Sequence, residues 1–210
     1  MVNADPQVQK SPIAHQRIEG PWARLQIDYT GPPPVTPGNS KYCLVIVDPF
    51  TKWIEAIPTK TNTALTTARQ LFKVVFSRWG LPKEINSDQG PHFIGETMQE
   101  MCKLLGIKQR FHIAGHPQSS GQVEQINCTL KDALRKMGKE NGKDWDEKLS
   151  MILMVLRSVS ASPGYTPFVA MTGRDTRTLQ QWWLDVDIPD GWQPKVANHQ
   201  WIRSLLDALK

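Results

Sequence analysis

The hydrophobic period of this chain changes near Asn62, and that change restricts it to a layered fold of sheet and helix. Before it, Arg24–Thr30 alternates, with Leu25, Ile27 and Tyr29 on one face and Arg24, Gln26 and Asp28 on the other. Gly31 and the prolines Pro32–Pro34 end this strand. Tyr42–Val47 is an almost unbroken apolar run, which suits a strand buried on both faces. Asp48-Pro49 makes a turn, and Lys52–Ile57 returns as a third strand closed by Pro58. Beyond Asn62, the residues Ala64, Ala68, Leu71, Val75 and Trp79 recur at helical spacing until Gly80 and Pro82. Glu84–Ser87 reads as a short strand with Asp88 at its end, and Met98, Cys102 and Leu105 mark a helix stopped by Gly106. Lys108–Ile113 is a fifth strand, Gly115–Gly121 a loop, and a long helix runs from Gln122 to about Lys139. A further helix covers about Trp145–Val159, and Thr166–Met171 forms a short turn. The order β-β-β-α-β-α-β-α predicts an α/β fold. Its five-stranded mixed sheet combines a three-strand antiparallel meander with two parallel strands and is flanked by helices.

A length of 210 residues allows one well-buried domain with a small appendage. Residues 1–20 read as an extended lead-in, 21–173 as the core, and 174–210 as a Trp-rich tail to which no fold is assigned. No apolar run approaches the length needed to cross a membrane, and the N-terminus has no secretory signal pattern. The net charge of +5 is compatible with a polyanionic partner without requiring one. Cys43, Cys102 and Cys128 are odd in number and far apart, so they form no disulfide framework and suit a reducing compartment. No Cys-x-x-Cys occurs, which argues against structural Zn²⁺. His112 and His116 are four apart, but Gly115 and Pro117 break any helix that would put them on one face.

Three carboxylates stand out by context. Asp28 lies within a strand, where aspartate is depleted; the plain alternative is a polar residue on an edge strand. Asp88 sits at the C-terminal end of a strand, where open α/β sheets carry their sites, although Asp88-Gln89-Gly90-Pro91 also reads as a turn. Glu124 falls in the first turn of the long helix, where an acid also complements the helix dipole and fills a capping-box position. On that helix Val123, Ile126, Leu130, Ala133 and Met137 form the stripe expected to be buried. Glu124, Cys128, Lys131 and Arg135 share the adjacent face, where an acid can hold a metal while the basic residues track a phosphate backbone. Asp48 is assigned to its turn, and Glu55, within an alternating strand, is expected to face solvent.

Phosphodiester chemistry needs charge neutralised at phosphorus and an activated oxygen nucleophile. Two divalent ions roughly 3.5–4 Å apart can provide both. Oxygen ligands without an imidazole cluster suit Mg²⁺ or Mn²⁺ better than zinc. Three metal-free carboxylates held close together repel one another, and at least one pKa should rise.

The strings Leu25-Gln26-Ile27-Asp28-Tyr29-Thr30-Gly31, Asn86-Ser87-Asp88-Gln89-Gly90-Pro91-His92-Phe93 and His116-Pro117-Gln118-Ser119-Ser120-Gly121-Gln122-Val123-Glu124 carry a resemblance. Thirty-five residues lie between Asp88 and Glu124. Over about residues 20–173 the chain resembles the catalytic core of retroviral and long-terminal-repeat retrotransposon integrases, of gammaretroviral type, as an endogenous, host-adopted or partial copy. The resemblance implies an RNase H-like fold, with Asp28, Asp88 and Glu124 as the metal-binding catalytic triad for Mg²⁺ or Mn²⁺, two ions in all. It implies 3′-end processing of element DNA by water, followed by strand transfer into target DNA. Gly115–Gly121 matches the family's mobile active-site loop, and Lys131 a basic position that contacts DNA ends. Gln118, Ser119, Ser120, Gln122 and Arg135 complete the expected DNA contacts. The expected partners are DNA and a second copy of the chain, in the nucleus or, if viral, in the virion or pre-integration complex; there is no clear basic localisation run.

The N-terminal zinc module and the basic C-terminal barrel of the family are not recognisable, and Gln125 and Cys128 replace residues usually basic in close relatives. A different class therefore stands beside the enzyme: a catalytically inactive nucleic-acid-binding or assembly module derived from an integrase. Three mutually repelling acids argue against it. An RNase H acting on hybrids shares fold and metals, but the Ser119-Ser120-Gly121-Gln122-Val123-Glu124 junction argues against that reading.

Overall fold

A computed structural model describes residues 20–30, 34–111, 125–133, 142–159, 165–174 and 176. Strands β1 (Arg24–Thr30), β2 (Tyr42–Val47), β3 (Ile54–Thr59), β4 (Glu84–Ser87) and β5 (Lys108–Phe111) form one sheet in the order β3-β2-β1-β4-β5. The pairs β1–β2 and β2–β3 are antiparallel, whereas β1–β4 and β4–β5 are parallel. This is the mixed sheet expected from the order of periods.

The third strand begins and ends later than its residues suggest. Pro58 lies inside β3, opposite Cys43, rather than closing it. Proline lacks an amide donor, which an edge strand tolerates because one side has no strand to bond. Lys52 takes a left-handed φ of 64° in the turn before β3, and its amide donates to the Asp48 carbonyl at 2.8 Å.

Helical segments cover both faces. The first, α1, runs without interruption through Ala64–Gln70, Leu71–Phe76 and Ser77–Trp79. Thr63 caps its start, accepting from the Thr66 amide. The middle segment is wound as a π-helix, whose wider turn lets Leu71, Val75 and Phe76 all reach the core. A short helix α2 (Pro91–Ile94) precedes α3 (Glu96–Leu104). Four residues are too few to leave a periodic trace, so α2 has no counterpart in the sequence reading. Gly95 between them packs so tightly on α1 that a Cβ there would lie 2.5 Å from that of Ala64. The described part of the predicted long helix, α4, covers residues 125–133; α5 (Trp145–Ser158) and α6 (Pro167–Thr172) follow.

Two apolar clusters result. On one face Leu25, Ile27, Leu44, Ile46 and Ile85 meet Leu71, Val75, Phe93 and Met98 from the helices α1–α3. On the other, Cys43, Val45, Val47, Ile54 and Ala56 meet Leu130, Leu149 and Ile152 from α4 and α5. The alternation of Tyr42–Val47 thus feeds both cores, as its continuous apolar character requires.

Glu55 departs from expectation. It is 6% exposed rather than solvent-facing. Its Oε1 accepts from the indole nitrogens of Trp53 at 3.0 Å and Trp79 at 2.9 Å, and Oε2 pairs with Arg157 at 2.8 Å. Arg157 also donates to the Ile54 carbonyl and lies 4.3 Å from the Trp53 ring centroid. A strand's alternation identifies its faces but not which one a distant helix will cover.

Candidate functional site

Strand register brings two of the three expected acids together. On the parallel pair β1–β4, Arg24 lies opposite Glu84 and Gln26 opposite Asn86. Side chains two residues on return to the same face. Continuing the ladder from these rungs carries Asp28 and Asp88 to one face at the C-terminal edge. The lowest rung is locked electrostatically: Glu84 pairs with Arg24 at 2.8 Å and with Arg110 of β5 at 2.6 Å.

Asp28 is partly buried and carries a cost. Burial pushes its carboxyl above the ordinary value of 3.8, and the neighbouring charge of Asp88 pushes it the same way. A backbone hydrogen bond at Tyr29, the charge of Lys131 and a hydrogen bond from Asn127 pull it back. Asn127 Nδ2 donates to Asp28 Oδ2 at 2.7 Å.

Asp88 is set differently. Its side chain is 62% exposed. Its Oδ1 accepts from the Gly90 amide at 2.9 Å, a local turn that fixes one oxygen beside the start of α2.

Asn127 is the residue that sequence reasoning missed. It is 6% exposed, on the sheet-facing side of α4, and its Oδ1 has no hydrogen-bond partner among the described residues. A signal existed: an asparagine beside Ile126 at the margin of the apolar stripe, three residues after Glu124. Cys128 and Lys131 are exposed on α4, and the Lys131 charge acts on Asp28. Glu124, Gln118, Ser119, Ser120, Gln122 and Arg135 lie outside the described residues.

Asp48, the rival acid, is fully buried and occupied by its own turn. It accepts from the amides of Trp22 and Phe50, each at 3.0 Å, and from Thr51 Oγ1 at 2.7 Å. It therefore anchors the β2–β3 connection.

The donor chemistry at Asp28 and Asp88 fits a hard divalent cation. Burial and the charge of Asp88 both penalise ionised Asp28, and a cation relieves both penalties. Among the described residues no three of His, Cys, Asp and Glu gather at metal-holding distance.

Comparison with known proteins agrees with this geometry. Residues 19–117 match the Integrase core domain family. The Gag-Pol polyprotein of Koala retrovirus is 39% identical over 165 residues, which cover 78% of this chain and 10% of that polyprotein. The chain thus spans about a tenth of the polyprotein it matches. A simian T-cell lymphotropic virus intasome in complex with PP2A regulatory subunit B56 gamma superposes with TM-score 0.65 and 27% identity, over 75% of this chain and 56% of that one. The HTLV-2 integrase catalytic core domain in complex with magnesium, in a trimeric form, superposes with TM-score 0.58 and 24% identity, over 74% of this chain and 99% of that one. The fold is the RNase H-like one of these catalytic cores.

Proposed function

Residues 19–117 belong to the integrase core domain family, and from that premise we propose that this chain is a divalent-metal-dependent polynucleotidyl transferase. Its reactions are 3′-end processing of DNA and strand transfer of the resulting hydroxyl into a target. The observation that carries the reading is the meeting of Asp28 and Asp88 on one face of adjacent parallel strands, with Asp28 held at a raised pKa. A partly buried acid that costs stability is explained by a ligand it serves.

Asp28, Asp88 and Glu124 are the ligands in this reading, for Mg²⁺ or Mn²⁺, with two ions bound. Ions so held supply charge neutralisation at phosphorus and activation of the attacking oxygen. The chain's own residues do the rest. Asn127 fixes one oxygen of Asp28 through its 2.7 Å hydrogen bond. The Gly90 amide does the same for Asp88. Lys131, exposed on α4 and acting on Asp28, is placed to meet a phosphate. Arg135, Gln118, Ser119, Ser120 and Gln122 are the further DNA contacts in this reading.

The partners are DNA and a second copy of this chain, and the sites of action are the nucleus or a pre-integration complex. The magnesium of the HTLV-2 catalytic core is the ion this site would take.

Calorimetric titration with Mg²⁺ tests the reading. Asp28→Asn, Asp88→Asn and Glu124→Gln should each abolish or sharply weaken the binding seen in the parent. Equal binding in parent and all three variants would overturn it.

A further inference from the structure

Asp88 has a second neighbour that its sequence context gave no reason to expect. His92, four residues on in α2, turns back so that Nε2 lies 4.0 Å from Asp88 Oδ1. Three contacts hold the ring. It meets Tyr29 edge-on with centroids 5.0 Å apart, and Phe93 at 4.2 Å. It also sits so close to Gly90 that a Cβ there would be 2.6 Å from Cε1 and 2.7 Å from Nε2. The absence of a side chain at Gly90 is what leaves room for the ring. The His92 side chain is 15% exposed and clamped, whereas that of Asp88 is 62% exposed, with Oδ1 held by the Gly90 amide.

A fixed imidazole nitrogen beside a solvent-exposed carboxylate is a pair of metal donors. With bonds near 2.1 Å, two ligands of one octahedral ion lie about 3 Å apart when adjacent and about 4 Å apart when opposite. The observed 4.0 Å lies within that span. Carboxylates and water suit magnesium, whereas imidazole favours the later first-row ions.

We propose that His92 Nε2 and Asp88 together form a nitrogen-bearing ligand arm, which lets this site bind a later transition ion such as Co²⁺ through a contact that Mg²⁺ does not use. The proposal rests on reading Asp88 as a metal ligand. It adds an imidazole to a site whose sequence indicated carboxylates alone. Tyr29, which clamps the ring, is also the chain neighbour of Asp28, so one aromatic contact links the two acid-bearing segments.

The test is titration of the full chain with Co²⁺ and, separately, Mg²⁺, comparing the parent with His92→Phe and Asp88→Asn. Phenylalanine keeps an aromatic ring in the slot and removes both ring nitrogens. His92→Phe should lose at least about tenfold in Co²⁺ affinity, in the range by which a lost metal-site partner weakens binding, with Mg²⁺ affinity unchanged. Independently of any variant, pulsed electron paramagnetic resonance of the Co²⁺-loaded parent at liquid-helium temperature should show coupling to a histidine ¹⁴N. Unchanged Co²⁺ affinity in His92→Phe, or no nitrogen coupling in the parent, would overturn the proposal. If Asp88→Asn binds Mg²⁺ as the parent does, the fault lies in the reading of Asp88 itself, and both ideas fall.

Discussion

Two acids on one sheet, one buried and one partly buried, have opposite fates. Glu55, on edge strand β3, is satisfied by two indole N–H groups and a guanidinium at 2.8–3.0 Å. Asp28, on central strand β1, has the Asn127 amide at 2.7 Å but also the repelling charge of Asp88, and burial lifts its pKa. The first acid is neutralised by its own fold. The second is left under-compensated, which is the condition of a group reserved for a ligand. Burial alone does not distinguish structure from function; the balance of partners does.

The sharpest way to break the contrast is Glu55→Ala. It strands Arg157 in a site built for a pair, and removing one partner of a buried pair costs about 3–5 kcal/mol. Urea unfolding should show that loss, or no folded protein at all. A change below about 1 kcal/mol, the size of an exposed pair, would mean that Glu55 is not the anchor described.

Asn127→Ala is the intermediate case. It removes a hydrogen bond to an ionised group, worth about 1.5–3 kcal/mol. The same variant should raise the pKa of Asp28 further, because a contact that favours its charged form is gone. NMR titration of the Asp28 carboxyl reads this directly; a lowered or unmoved pKa would contradict the assigned role.

Asp28→Asn should move stability the other way. The folded pKa of Asp28 is raised, so its ionised form is the destabilising one. Without divalent ions the variant should be more stable than the parent at neutral pH, on the order of 1 kcal/mol, as removing a functional acid commonly gives. That advantage should shrink as pH falls through the folded pKa and vanish below the ordinary value of 3.8, where both states are protonated. Added Mg²⁺ should reverse the order by stabilising the parent alone. A variant less stable than its parent in chelator at pH 7 would place Asp28 with Glu55, among the structural acids.

The same contrast explains what could be read from the residues alone. Alternation in Arg24–Thr30, the apolar run Tyr42–Val47 and the helical spacing from Ala64 are local signals, and the sheet follows from them. Asp28 was singled out because aspartate is depleted within strands, and Asp88 because it stands at the end of one. Glu55 was misplaced because its partners, Trp79 and Arg157, lie 24 and 102 residues away, and no local pattern reports them. Pro58 was taken as a stop because edge position belongs to the sheet and not to the segment. Asn127 escaped notice for the same reason, since it matters through one contact across the fold, with Asp28; His92 lies only four residues from Asp88 but on the short helix α2, which leaves no periodic trace.

The central claim is that Asp28 and Asp88 serve DNA strand transfer, and rejoining of a preformed branched DNA by the whole chain, in Mn²⁺ or Mg²⁺, tests it most directly. The account predicts a metal-dependent rejoined product that disappears in Asp88→Asn. A folded protein that binds the branched DNA yet yields no product would contradict the account and favour the inactive binding or assembly module; product undiminished in Asp88→Asn would contradict it as well.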